Sequence, residues 1–203
     1  MRVPSTTARH ATQERRLPIA IFCMAILAVA IGVSLNAAAS EDDALIVKDF
    51  EARVTKYIEL RKKDAGSSPR PTNSSDKLAN SQNDLAAKAK ALRPNASRGD
   101  IFTPEISACL RRRISRALHG HEGAKIRASL RHAEPVHGIN LRVNETYPDG
   151  VPLQSTPPTL LLHLPTLPDG MEYRIVERTL VLRDVAPNLV VDFVPDAIPP
   201  IEK

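Results

Sequence analysis

Tryptophan is missing from this chain, and aromatic residues make up only 3% of it. Flat ring surfaces for stacking on sugars or nucleobases are therefore scarce, which argues against a carbohydrate or nucleic-acid platform. Cysteine is equally sparse. Of the two, Cys23 falls in an N-terminal apolar run, leaving Cys109 alone downstream. No internal disulfide can form in that downstream part. Cys109 reads as a small buried hydrophobe on a helix face, with a reactive thiol or an intermolecular bridge as the alternative. An excess of one charge is also missing where it would matter. The net charge of +5 owes much to four arginines near the N-terminus, and residues 40–203 carry 24 basic and 22 acidic side chains. A nearly neutral body offers no electrostatic case for nucleic acid. Neither G-x-S-x-G nor H-E-x-x-H occurs, so these nucleophile and zinc signatures are excluded.

What is present begins at the N-terminus. Arg15-Arg16 precedes an uncharged run of 19 residues, Leu17 to Leu35, which ends in Asn36-Ala37-Ala38-Ala39-Ser40. A basic flank, an apolar centre and small residues at the end are the parts of a secretory signal peptide, with Ala37 and Ala39 suited to cleavage before Ser40. The run also approaches the ~20 residues a membrane-spanning helix needs. An uncleaved inner-membrane anchor, its N-terminus in the cytoplasm, is the alternative, and residues 17–35 would then contact the membrane. Either way, residues from about 40 onward are expected outside the cytoplasm, periplasmic or secreted. Cys23 lacks the preceding small residues of a lipoprotein site. Pro18 weakens a twin-arginine reading.

Beyond this leader (1–39), residues 40–134 read as a helical region. Ser40 is placed to cap a first helix, with Glu41, Asp42 and Asp43 on its positive end. Ile46, Phe50, Val54 and Tyr57 give it an apolar stripe, and Gly66 ends it. Ser67–Asn73 is a linker by composition. A second helix is expected from about Asp76 to Arg93, paired through its alanine-rich face with a neighbouring helix. Thr103-Pro104-Glu105 signals the start of a third, with Thr as cap and Pro at the first position. Its face is Ile106, Leu110, Ile114, Ala117 and Leu118, and Gly120 stops it. A shorter helix follows from about Glu122 to Ala133.

Residues 135–203 change character. Ile139, Leu141 and Val143 alternate as in a short strand, and Leu160–Leu164 is expected to be extended within a proline-rich connector. Met171–Glu177, Thr179–Asp184 and Leu189–Val194 read as three strands with turns at Glu177-Arg178 and Val185–Asn188. The expected fold is α+β: a small N-terminal bundle of about four helices packed with a three-stranded antiparallel β-meander, which is too small to stand alone.

Several segments carry a resemblance. Leu92-Arg93-Pro94-Asn95-Ala96, Gly99-Asp100-Ile101-Phe102-Thr103-Pro104-Glu105 and Leu182-Arg183-Asp184 with Asn188-Leu189-Val190-Val191-Asp192-Phe193 are similar to a group of uncharacterised exported bacterial proteins, over about residues 44–198. That resemblance implies export and no particular activity. Residues 167–194, through Leu167-Pro168-Asp169-Gly170, Tyr173-Arg174 and Leu180–Asp184, resemble the C-terminal hairpin of periplasmic nickel/cobalt homeostasis proteins. The tryptophan of that pattern is missing here. Such a hairpin is a packing unit, so nickel is not implied.

Among local clusters, His119-x-His121-Glu122 supplies two imidazoles and a carboxylate that can ligate a divalent metal, with His132 or His137 to complete a site. Its spacing matches no zinc signature, and a histidine at a helix end also complements the dipole. Arg111, Arg112, Arg113, Arg116, Lys125, Arg127 and Arg131 make the third and fourth helices basic. That suits anionic headgroups, an anionic polymer or an acidic partner, or else a solvated face paired with the acids of the first helix. Arg98-Gly99-Asp100 spells an adhesion tripeptide, although Gly99 also suits a turn. Asp184 and Asp192 are the candidate carboxylates for catalysis, expected to be solvent-facing at strand ends. Together these features lead to an exported, non-enzymatic protein that acts by contact with an envelope protein partner, without cofactor or nucleic acid. A weak divalent-metal binder and an unrecognised envelope hydrolase are the alternatives.

Overall fold

The computed structural model describes residues 20–66, 68–69, 71–132, 138–147 and 156–201, with side chains from Glu41 onward except that of His132. Two compact units emerge, Met1–Glu41 and Asp42–Lys203. The helices are α1 (Ala20–Asp64), α2 (Ser75–Ala91), α3 (Pro104–His119), α4 (Gly123–His132) and the short α5 (Pro158–Leu161). The strands are β1 (Met171–Val176), β2 (Thr179–Asp184) and β3 (Leu189–Val194), antiparallel in the order β1-β2-β3. The chain is thus α+β, with the expected meander. Ala37, Ala39 and Ser40 lie within α1, but their side chains, like those of the leader, fall outside the described residues. Among the described residues no helix is long and apolar enough to cross a membrane.

The core of the larger unit is built from helical stripes and one sheet face. Phe50, Val54, Tyr57 and Ile58 of α1 meet Ile106, Leu110, Ile114 and Leu118 of α3, and Ile175, Leu180, Leu182 and Val191 of the sheet. Phe50 stacks on Phe102 with ring centroids 5.3 Å apart. A smaller cluster of Tyr147, Val176, Val181 and Val190 covers the other sheet face. Both periodicities, 3.6 for the helices and 2 for the strands, therefore put their apolar residues where the sequence pattern requires.

The turns are as expected. Glu177 and Asn188 adopt left-handed φ values of 55° and 52°, and Glu177-Arg178 closes the two-residue hairpin between β1 and β2. Register shifts between β2 and β3: Leu182 faces Asp192 while Arg183 faces Val190. Val191 is the extra residue of this bulge, so it and Asp192 both turn toward the helices. At the α3–α4 corner a Cβ on Gly123 would sit 2.1 Å from the Leu118 carbonyl oxygen, so only glycine fits.

Several expectations need correction. α1 does not begin at Ser40 but passes through it, and no acid occupies its first turn. The alanine-rich stretch ahead of Ser40 is strongly helix-forming and gives the helix no reason to stop. Thr103 makes no side-chain cap bond, although Pro104 takes the first turn as predicted. α2 is tied to the β2–β3 turn and to the loop before the sheet. Gln82 Nε2 donates to the Ala186 carbonyl at 3.3 Å, and Lys90 pairs with Glu145 at 2.5 Å. The Ile139–Val143 alternation makes no strand. Asn144, at φ 64°, breaks the extended run, and only Thr146 bridges to Leu189. Ile139 and Leu141 still pack on the smaller cluster. Leu160–Leu164 is not extended, because Pro158 starts the helical turn α5 with Pro157 before it.

The largest departure concerns the two carboxylates. Asp184 and Asp192 are both 0% exposed rather than solvent-facing. Asp192 is enclosed by main-chain donors: Gly99 (3.1 Å), Ile101 (3.0 Å) and Phe102 (2.8 Å) donate to Oδ2, and Phe193 (2.8 Å) to Oδ1. Gly99, at φ 97°, gives the loop the conformation that lets it wrap the carboxylate. The Arg98-Gly99-Asp100 tripeptide is accordingly part of a structural loop. Asp192→Ala would strand these buried donors. Urea denaturation should show a loss of roughly 2–5 kcal/mol, with Asp192→Asn, which keeps an acceptor, costing clearly less. A loss below about 1 kcal/mol for the alanine variant would contradict this role.

Candidate functional site

Cavities open among the described residues of the larger unit, and three of them stand out. Two, of about 620 and 660 Å³, lie beside the end of α1: the first is lined largely by polar groups, including Lys77, Asp84 and Lys88, and the second mixes Lys62, Gln82 and Asp169 with Pro69, Val185 and Ala186. The third, of about 420 Å³, is a groove between α5 and β1 lined chiefly by Leu161, Leu164, Pro165, Leu167, Met171 and Tyr173. Ordered elements make its walls, and apolar side chains dominate them. It is the best-formed candidate for binding.

Local sequence explains the groove. Pro157 and Pro158 nucleate one helical turn, in which Leu160 and Leu161 donate to the Pro157 carbonyl at 2.9 and 3.1 Å. Leu160 is fully buried and anchors the turn, which leaves Leu161 and Leu162 pointing outward at 41% and 84% exposure. Tyr173 donates its hydroxyl to the Pro165 carbonyl (3.1 Å), and the Thr156 hydroxyl donates to the Tyr173 carbonyl (2.9 Å). These bonds tie both ends of the connector to β1. Burial, and secondarily the nearby Glu51 charge, push the Tyr173 hydroxyl far above its ordinary range.

The charged groups on the rim are satisfied among themselves. Arg174 reaches Glu172 through Nε (2.7 Å) and Nη2 (2.6 Å), and Arg183 also donates to Glu172. Arg183 further donates to Asn188 at 2.8 Å. Glu172 and Arg174, the charged residues lining the groove, are thus engaged with one another.

The residues singled out from the sequence lie elsewhere. His119 is exposed, with Nδ1 2.7 Å from the Ser115 carbonyl oxygen. His121 is 97% exposed at its side chain and lies 3.0 Å from Glu122. Lys125 also meets Glu122 at 2.8 Å, and hydrogen bonds from Lys125 and His121 hold that carboxyl below its ordinary value. His137 and the His132 side chain lie outside the described residues. Among the described residues no three His, Cys, Asp or Glu side chains converge to hold a metal ion. Cys109 is fully buried, and burial pushes its thiol up.

Asp184 is sealed rather than presented. Arg61 grips it with Nε to Oδ2 (2.8 Å) and Nη2 to Oδ1 (2.9 Å), and the Tyr57 hydroxyl donates to Oδ2 at 2.9 Å. Arg61 also donates to the Gly66 carbonyl at 2.8 Å. Burial pushes the Asp184 carboxyl upward, opposed by the Arg61 charge and the hydrogen bonds. Neither Asp184 nor Asp192 lines any of the three cavities. The groove itself was missed in the sequence, although Pro157-Pro158 before a run of leucines is the signal that could have exposed it.

Comparison with protein-family models, curated proteins and solved structures finds no match to this chain.

All three tyrosines of the chain, Tyr57, Tyr147 and Tyr173, have hydroxyls raised above the ordinary 10.0, first of all by burial. Folding favours their neutral form. Their contribution to stability is fully present below the unfolded pKa and is lost as pH rises above about 10. A spectrophotometric titration should show no tyrosinate near pH 10.0 while the circular dichroism stays native, then joint ionisation and unfolding at higher pH. A tyrosine that ionises near 10.0 in the folded protein would contradict this.

Proposed function

We propose that this chain is an exported envelope protein that works by contact with another protein, and that the groove between α5 and β1 is its contact surface. The observation that carries the reading is the pair Leu161–Leu162. Leu161 lines an apolar groove walled by Pro165 and Tyr173, and both it and the adjacent Leu162 stand exposed. Exposed leucine beside preformed apolar concavity is what a partner side chain buries, while the paired Glu172–Arg174 rim supplies orientation. Export rests on Arg15-Arg16, the Leu17–Leu35 run and Ala37-x-Ala39. The resemblance to uncharacterised exported proteins supports the same compartment. If cleavage falls before Ser40, Glu41, Asp42 and Asp43 come to stand at the new end of α1, where negative charge is favourable.

Placing a photoreactive amino acid at Leu162 in intact cells, followed by mass spectrometry, tests the reading. One reproducible crosslinked protein is expected, with recovery falling at least tenfold in a Leu161→Asp variant that keeps native circular dichroism. The absence of a reproducible partner, or crosslinking indifferent to Leu161→Asp, would overturn it.

A further inference from the structure

The helices α3 and α4 concentrate positive charge that the rest of the body does not share. Residues 104–132 hold seven arginines and lysines against two glutamates, whereas residues 40–203 as a whole are nearly balanced. The apolar face of α3 is used up in the core. Its exposed face carries Arg112, Arg116 and His119 at intervals of four and three, and the exposed positions of α4 include Lys125 and Arg131. Arg112 is shared with Asp43 (2.5 Å) and Lys125 with Glu122 (2.8 Å). Among the described residues, Arg116 and Arg131 have no acidic partner within ion-pair distance.

The position of this face suggests what it meets. Arg53 of α1 donates to the Asp100 carbonyl just ahead of α3, and Asp43, ten residues earlier, pairs with Arg112. α3 therefore runs back along α1 toward the start of the larger unit at Asp42. From Arg112 to His119 it continues on the order of 10 Å further, at 1.5 Å per residue. The exposed side chains of α3 thus lie toward the Asp42 end of the larger unit, which the apolar run Leu17–Leu35 precedes in the chain.

We infer that the exposed face of α3 and α4, centred on Arg116, Lys125 and Arg131, docks on anionic lipid headgroups at the surface of the membrane the leader enters. This goes beyond the groove reading and shares with it only the assignment of the leader. Basic side chains at an anionic surface strengthen attachment roughly fivefold each. The helices need not insert, because their apolar faces are already spent. The acids at this end include Asp42, Asp43 and Glu122, of which the latter two are held by Arg112 and Lys125.

The chain has no tryptophan, so Ala124→Trp at an exposed site of α4 gives a single indole reporter, with Leu78→Trp on α2 as the remote control. The full chain is reconstituted in vesicles of phosphatidylcholine alone or with phosphatidylglycerol. Flotation with phosphatidylcholine vesicles reads the leader, and the indole reads docking. The expected result is a blue shift and quenching by spin-labelled lipid for the Ala124→Trp indole only when phosphatidylglycerol is present. Arg116→Gln/Lys125→Gln/Arg131→Gln should abolish it, and Arg116→Lys/Arg131→Lys should retain it. A shift absent with phosphatidylglycerol, equal in both vesicles, surviving the glutamine variant or lost in the lysine variant would overturn the inference. Flotation without a shift sinks docking alone, whereas failure to float sinks the assignment of the leader.

Discussion

A buried ion pair holds the body of this protein in register. Arg61, near the end of α1, and Asp184, the last residue of β2, are 1% and 0% exposed and meet through two parallel hydrogen bonds. Tyr57 adds a third bond to the same carboxylate, and the Arg93 guanidinium lies over the Tyr57 ring, 5.4 Å from its centroid. Taking two charges out of water is expensive, and their attraction offsets that cost only when geometry and remaining hydrogen bonds are good. Here both carboxylate oxygens are engaged, and the guanidinium also serves the Gly66 carbonyl where the chain leaves α1. The pair fixes how far α1 slides along the sheet, because a shift of one turn would leave a charge buried alone.

Asp192 performs the complementary task on the next strand. Its carboxylate collects the main-chain donors of residues 99–102 and so positions the turn that launches α3. Two aspartates on the core face of one small sheet thus place two helices. The remaining contacts are apolar and non-directional. These polar anchors select one arrangement among the many that would bury similar area. At the periphery, α5 leaves two leucines outside and α3 leaves Arg112 and Arg116 exposed.

β1 and β2 were legible because their period of two is uninterrupted, and the turn into β3 because it ends in Asn188, a residue type that tolerates positive φ. The faces of α1 and α3 were legible for the same kind of reason. Arg61 and Asp184 could have been read as buried. Arg61 continues the Val54–Ile58 stripe at the next helical step, and Asp184 is in phase with Leu180 and Leu182. The general rule that charged strand ends face water obscured them. Asp192 was out of reach, because the bulge at Val191 reverses the phase of β3 and leaves no mark in residue type. The connector failed differently: alternation at Ile139–Val143 reflects packing on the sheet without a ladder, and two prolines before leucines start a helical turn as readily as they extend a chain. The groove depends on that turn, so it was hidden with it.

The central claim is that Arg61 and Asp184 act as one coupled unit. A double-mutant cycle in urea with Arg61→Met, Asp184→Leu and the pair of changes together measures this directly. Each single change should cost roughly 3–5 kcal/mol, because it leaves the other charge buried and unpaired. The double change should cost less than the sum by at least about 2 kcal/mol. Additive losses, or single losses below about 1 kcal/mol, would contradict the account.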